Sequence, residues 1–132
     1  MPEGPLGNIS VDGPFGESTR LLLKFDIAVK GQSPESYNTP QNINGLVDAI
    51  ANSSMYMERD ITVFRSDAPK SGPDFIAVVD TNPGEYWSVI DGNVESIENA
   101  INERRMIEVV GVIPVCGKVD EIIKDNTSKS II

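Results

Sequence analysis

The side chains of this chain that could do chemistry are almost all carboxylates and lysines, because it has no histidine and a single cysteine, Cys116. Catalytic triads, imidazole ligands for zinc and an unperturbed base near neutral pH are therefore excluded. We interpret Cys116 as a small buried hydrophobic residue that follows a strand, rather than as a reactive thiol. One cysteine forms no internal disulfide, which favours the cytoplasm or another reducing intracellular compartment over secretion.

The carboxylates are concentrated in one stretch, from Ser71 to Glu103, that contains no lysine or arginine. Tyr86 and Trp87, the only tryptophan, lie within it. Tyrosine and tryptophan often dominate the binding energy of protein interfaces, and acids around them speed the encounter with a basic partner and orient it. The acids of the stretch are Asp74, Asp80, Glu85, Asp91, Glu95, Glu98 and Glu103.

This pattern predicts a partner-binding face made by a β-hairpin at 82–91 and the start of the helix that follows it. The expected partner is a basic protein, for example a nucleic-acid-processing enzyme whose cleft the acids would occupy in place of phosphates. The alternative is purely structural, because acids in the first turn of a helix match its dipole and a tryptophan often lies in the core. The predicted face comprises Glu85, Tyr86, Trp87, Asp91, Glu95 and Glu98.

A carboxylate-based enzyme is a further alternative, since Asp80 and Asp91 would lie near the two ends of that hairpin. Glycosidase-type chemistry needs two carboxyl groups at a fixed separation. The sequence has no EF-hand loop, and residues 111–119 lack the spacing and the Ser or Thr of a phosphate-binding loop. We therefore expect no catalysis, no metal and no cofactor.

The net charge of the chain argues against two classes of binding partner. The 132 residues include 11 bases and 20 acids, for a net charge of −9. Such a chain repels nucleic acid and anionic lipid as a whole, so direct binding to either is not expected. No apolar run approaches the ~20 residues that a membrane helix needs.

Glycine and proline residues, which interrupt regular secondary structure, help to divide the chain into three parts. Residues 1–19 form a flexible arm, 20–125 an α+β domain and 126–132 a polar tail. The arm repeats a short motif, Gly-Pro-Leu-Gly and then Gly-Pro-Phe-Gly, which places Leu6 and Phe15 on turns. A rival function follows, in which these two side chains dock on a neighbouring subunit and the protein is a homo-oligomeric assembly unit.

Hydrophobic periodicity predicts the order of the elements. Strict alternation over 20–30 indicates a strand, and helical spacing after Thr39 and Pro40 indicates a capped helix. The strand at 20–30 could also pair edge to edge in a dimer. The full prediction is strands at 20–30, 60–66, 75–79, 86–90 and 106–115, helices at 40–53 and 93–105, and a short helix at 118–125.

These elements predict an α+β fold with a single compact domain. About five strands would form a mixed, largely antiparallel sheet with two helices on one face. This order of elements is close to a ferredoxin-like or split βαβ arrangement.

Overall fold

The computed structural model describes residues 20–67 and 72–127, which form an α+β fold with four strands and four helices. The predicted arm at 1–19, with Leu6 and Phe15, lies outside the described residues, as does the tail from 128 onward. In chain order the elements are β1 (Arg20–Val29), α1 (Pro34–Tyr37), α2 (Pro40–Ser53), β2 (Ile61–Arg65), β3 (Phe75–Asp80), α3 (Trp87–Asn102), β4 (Ile107–Gly117) and α4 (Val119–Asn126).

The strands form one sheet in the order β2-β3-β1-β4, and each neighbouring pair is antiparallel. The connection from β1 to β2 passes over β3, and the connection from β3 to β4 passes over β1. The sheet is therefore antiparallel rather than mixed over the described residues. The prediction that the 20–30 strand forms a dimer edge is wrong, because β1 hydrogen-bonds to a strand on each side.

Successive side chains of β1 point to opposite faces of the sheet. Leu21, Leu23, Phe25 and Ile27 join the main core beneath α2 and α3. Burying a side chain of this size contributes about 1.5–3 kcal/mol, so this face of β1 is a substantial part of the core that stabilises the domain.

The opposite face of the sheet is covered by α4. Leu22 of β1 packs there with Ile76, Val78 and Ile122 in a second, smaller cluster. The end of α4 is held at β2, where the Asp67 N–H donates to the Asn126 carbonyl at 3.2 Å. The helix predicted at 118–125 is therefore present and gives the sheet a helix on its second face.

Helix α2 begins as the sequence predicts. The Thr39 hydroxyl accepts a hydrogen bond from the Asn42 N–H at 3.2 Å, and Pro40 occupies the first helical position. Leu46 and Ile50 are fully buried on its inner side. Helix α2 is therefore held both by its cap and by its packing on the sheet.

The predicted hairpin at 82–91 is wrong, and for the same reason the sheet has four strands rather than about five within residues 20–67 and 72–127. A turn is present, with Gly84 at φ +75°, but the chain then enters α3 at Trp87. Ile90 is buried at helical spacing from Ile97 and Ile101, so an earlier helix start extends one apolar stripe. Asn93, the residue at which this helix was predicted to begin, lies well inside α3.

Cys116 also departs from its prediction. It lies within β4 rather than after a strand, and its side chain is exposed rather than buried. The physical reason is its position, since β4 is an outer strand and Cys116 is its second-last residue.

Candidate protein-binding face

The turn before α3 fixes where the candidate face begins. Thr81, at the end of β3, is buried, and its hydroxyl donates to the Leu21 carbonyl at 2.8 Å. The Glu85 N–H then donates to the Asn82 carbonyl at 3.2 Å, which closes the turn. The first turn of α3 is thereby held against the central strand.

Glu85 lies at the centre of a hydrogen-bonded group that joins three segments. The Tyr56 hydroxyl donates to Oε1 and Oε2 of Glu85 at 3.1 and 3.2 Å. The Asn93 side-chain amide donates to Oε2 at 3.4 Å, and the Asn82 N–H donates to Oε1 at 3.3 Å. Glu85 therefore connects the α2–β2 linker, the turn after β3 and helix α3.

Burial and the nearby charge of Glu85 keep the Tyr56 phenol in its neutral, proton-donating form. Tyr56 is only 2% exposed. Loss of solvation, and then the negative charge of Glu85 beside it, raise the pKa of the Tyr56 phenol far above its ordinary value. The phenol therefore stays protonated and keeps its role as the donor to Glu85.

Four of the six predicted face residues share one stripe of α3. Successive residues of an α-helix turn by about 100°, so positions 87, 91, 95 and 98 fall within an arc of about 80°. Asp91 and Glu95 are exposed, whereas Trp87 and Glu98 are half-buried. The helix that replaces the predicted hairpin thus aligns Trp87 with the three carboxylates.

The two predicted aromatic anchors differ in their surroundings. Tyr86 is 58% exposed and stands at the N-cap of α3 without a side-chain capping bond. Trp87 packs against the edge of the main core. Tyr86 is therefore free to contact a partner, and Trp87 presents a ring whose position the core already fixes.

The carboxylates of the stripe are left without basic partners. Within residues 20–67 and 72–127, four ion pairs form, and none includes Asp91, Glu95 or Glu98. The α3 acidic face, as we call Tyr86, Trp87, Asp91, Glu95 and Glu98 together, therefore carries three carboxylates that form none of these ion pairs. Glu85 lies beside it but is occupied by Tyr56.

Asp80 and Asp91 are not brought together by a hairpin. Asp80 ends β3, where the Arg20 guanidinium lies 3.2 Å from its Oδ1. That guanidinium donates to the Thr81 carbonyl at 2.9 Å, so Oδ1 has an ion pair but no aligned hydrogen bond. Burial raises the pKa of the Asp80 carboxyl, and the charge of Arg20 only partly opposes this.

Metal ligands are not grouped in the part of the chain that the structure describes. It contains no cluster of three or more His, Cys, Asp or Glu side chains that could hold a metal ion. No helix among the same residues has the length and apolar character needed to cross a membrane.

Sequence reasoning missed the residues on the other flank of α3. Asn93 and Ala100 face α2, and the Asn93 Oδ1 accepts from the Met55 N–H at 3.1 Å. Met55, Tyr56 and Met57 form the linker that follows α2. Their only sequence signal was three consecutive apolar residues between two predicted elements, which does not reveal that Tyr56 is buried while both methionines are exposed.

Comparison with known proteins does not assign a family. No family model matches the chain, and no curated protein or solved structure matches it significantly. A function has to be argued from the residues and their geometry alone.

Proposed function

We propose that this is a non-catalytic protein-binding domain, of the inhibitor, immunity or viral accessory kind, that engages a basic partner protein through the α3 acidic face. The observation that carries the proposal is the single stripe formed by Trp87, Asp91, Glu95 and Glu98, with the exposed Tyr86 at its start. Aromatic anchors beside unpaired carboxylates are the features that such a partner would recognise.

The anchors supply affinity. A side chain already held in one position loses less conformational entropy on binding, which applies to Trp87 because it packs against the main core. Tyr86 adds a large amphipathic side chain that is open to solvent. These two residues are the proposed hot spots.

The carboxylates supply orientation and speed. Exposed ion pairs contribute only about 0.2–1 kcal/mol each, so Asp91, Glu95 and Glu98 act mainly on the association rate. Asp91 and Glu95 are one turn apart, which suits two basic side chains of the partner. Glu85 contributes its charge to the local field, because its oxygens are already engaged by Tyr56.

The test is a comparison of two double variants that remove equal charge. Glu95→Gln with Glu98→Gln removes two acids of the face, and Asp120→Asn with Asp125→Asn removes two exposed acids of α4. We expect a basic protein captured by the full chain to be retained equally well by the α4 variant and in a clearly smaller amount by the face variant. Equal retention by both variants, or capture of no basic protein, would contradict the proposal.

Two further parts of the proposal concern the fold type of the domain and the cellular compartment in which it works. The strand order and the skipped strands support a split βαβ, ferredoxin-like arrangement, to which α4 adds a second layer. The exposed thiol of Cys116 supports a reducing intracellular compartment, where a lone accessible cysteine stays reduced.

A further inference from the structure

An open groove runs between α2 and α3 on the outer side of the helical layer. It has a volume of about 390 Å³ and exists because small side chains, Ala49 and Ala100, face each other where the helices meet. The other residues that line it are Asn52, Ser53, Glu103 and Arg104.

One end of this groove continues into exposed apolar surface. Val89 lies on the same flank of α3 as Ala100, about 16 Å further towards the N-terminus of the helix. Met55 lies two residues after the end of α2, and its N–H is hydrogen-bonded to the side chain of Asn93, one turn from Val89. We call Met55, Met57, Tyr86 and Val89 the methionine patch; their exposures are 54%, 54%, 58% and 38%.

The backbone beneath the methionine patch is held in place. Tyr56, between the two methionines, is buried and bonded to Glu85. The Ser54 hydroxyl accepts from the Tyr56 N–H at 3.2 Å and donates to the Ile50 carbonyl at 2.7 Å, which fixes the start of the linker. A fixed backbone that presents grouped apolar side chains to water is typical of an interaction site.

Methionine suits such a site because its side chain is unbranched and polarisable and adapts to different apolar surfaces. The charged residues next to the methionine patch indicate which kind of partner would bind there. Glu58 and Asp60 follow Met57, whereas Arg59 is the base of the same short turn. Acids are therefore in excess at this end of the groove.

We propose that the groove and the methionine patch bind an amphipathic, basic helix of the partner protein, with its apolar residues on the patch and its lysines or arginines beside the acids. This rests on the proposed function, since it specifies what part of the basic partner is bound. A second copy of this chain fits less well, because each copy carries a net charge of −9 and the two would repel.

The probe is a synthetic 14-residue amphipathic helix of leucine and lysine, titrated into the full chain. A matched peptide has serine in place of every leucine and the same lysines. We expect the leucine peptide to bind at least about tenfold more tightly, which corresponds to about 1.4 kcal/mol. Equal affinity of the two peptides would overturn the inference.

Substitutions within the chain show whether the difference in affinity between the two peptides arises at the methionine patch. Met55→Ser and Met57→Ser should each weaken the leucine peptide at least threefold and leave the serine peptide unchanged. Met106→Ser is the matched control, since Met106 is also exposed but lies outside the patch. Equal loss in Met106→Ser would contradict the assignment, and thermal unfolding of each variant shows whether its fold is intact.

The same titrations separate this inference from the proposed function. Glu95→Gln with Glu98→Gln should weaken both peptides by the same factor, because these two carboxylates act on the lysines, which the two peptides share. If both peptides bind equally and respond only to the acids, the proposed function stands and the groove has no role. If neither binds, both proposals fail. A dimer in sedimentation that Met55→Ser abolishes would instead identify a second copy as the occupant and overturn the inference.

Discussion

The Tyr56 hydroxyl donates to both carboxylate oxygens of Glu85, at 3.1 and 3.2 Å, across 29 positions of sequence. This contact joins the linker after α2 to the turn before α3. It holds the first turn of α3, which carries Tyr86, a residue of both the α3 acidic face and the methionine patch. The buried phenol of Tyr56 is therefore one of the contacts that connect the segments carrying the two candidate surfaces.

Replacing Tyr56 by Phe should lower the stability of the domain without changing its fold. The variant leaves Glu85 with one donor fewer in a partly buried site, which costs about 1–3 kcal/mol. Urea unfolding at pH 7 measures this. Tyr86→Phe is the matched control, because Tyr86 is exposed and its loss of a hydroxyl should stay within about 0.5 kcal/mol. Equal effects of the two substitutions would show that the contact with Glu85 contributes nothing.

Alkaline pH should unfold the protein partly through Tyr56. Its pKa is raised in the folded state, so its contribution is fully present below the ordinary tyrosine value near 10 and is lost as pH rises above it. Stability measured between pH 8 and 11 should fall more steeply in the unmodified protein than in Tyr56→Phe. The free energy of unfolding of Tyr56→Phe should still fall somewhat as pH rises, because burial also raises the pKa of Tyr37. Identical slopes would contradict the raised pKa of Tyr56.

Asp80→Asn should leave the stability at pH 7 unchanged or raise it by less than about 1 kcal/mol. Burial, the largest influence on the Asp80 carboxyl, raises its pKa, so ionisation of this group costs more in the folded state than in the unfolded state. The contribution of this group is present below its ordinary pKa and is lost as pH rises through the raised value. Unfolding at pH 3 to 7 tests this, with Asp91→Asn as an exposed control. A large loss of stability at pH 7 would mean that attraction by Arg20 outweighs the cost of burial.

Gly92→Ala tests where α3 begins. In the structure Gly92 is helical, and a Cβ built there meets no atom within 4 Å, so alanine should stabilise the domain by about 0.5–1 kcal/mol. Gly84→Ala is the opposite case, since its φ of +75° disfavours a side chain and the substitution should destabilise. A destabilising Gly92→Ala would favour a strand end at this position, as the sequence alone suggested.

Trp87→Ala and Tyr86→Ala should separate stability from binding. Both should cost more than about 2 kcal/mol of binding if they are hot spots. Only Trp87→Ala should also lower the free energy of unfolding, because Trp87 packs on the core and Tyr86 does not. Thermal unfolding and titration of the same samples measure the two effects. A Tyr86→Ala variant that binds normally would remove Tyr86 from the proposed face.

The sequence predicted the elements whose local signals agree with their packing. The alternation of β1 and the Thr39 cap with Pro40 are such cases. It failed at 86–90, where β-branched and aromatic residues after a strong turn favour a strand locally. Packing decides otherwise, because Ile90 as a helical residue extends the buried stripe of Ile97.

The candidate site was predictable only in its composition. The acids and aromatics were visible in the sequence, but their alignment on one stripe follows from the helix that the sequence did not predict. The contact between Tyr56 and Glu85 joins distant segments, and no local period connects them. The methionine patch was missed for the same reason, since it forms only when the linker after α2 meets the start of α3.

The most direct test of the central claim is the association rate between the full chain and its basic partner, measured by stopped flow at several salt concentrations. We predict that Glu95→Gln with Glu98→Gln slows association at least fivefold at low salt and flattens the salt dependence, whereas Asp120→Asn with Asp125→Asn changes the rate less than twofold. Equal slowing by the two double variants, or an association rate of the unmodified protein that does not depend on salt, would contradict the claim that the α3 acidic face binds the partner.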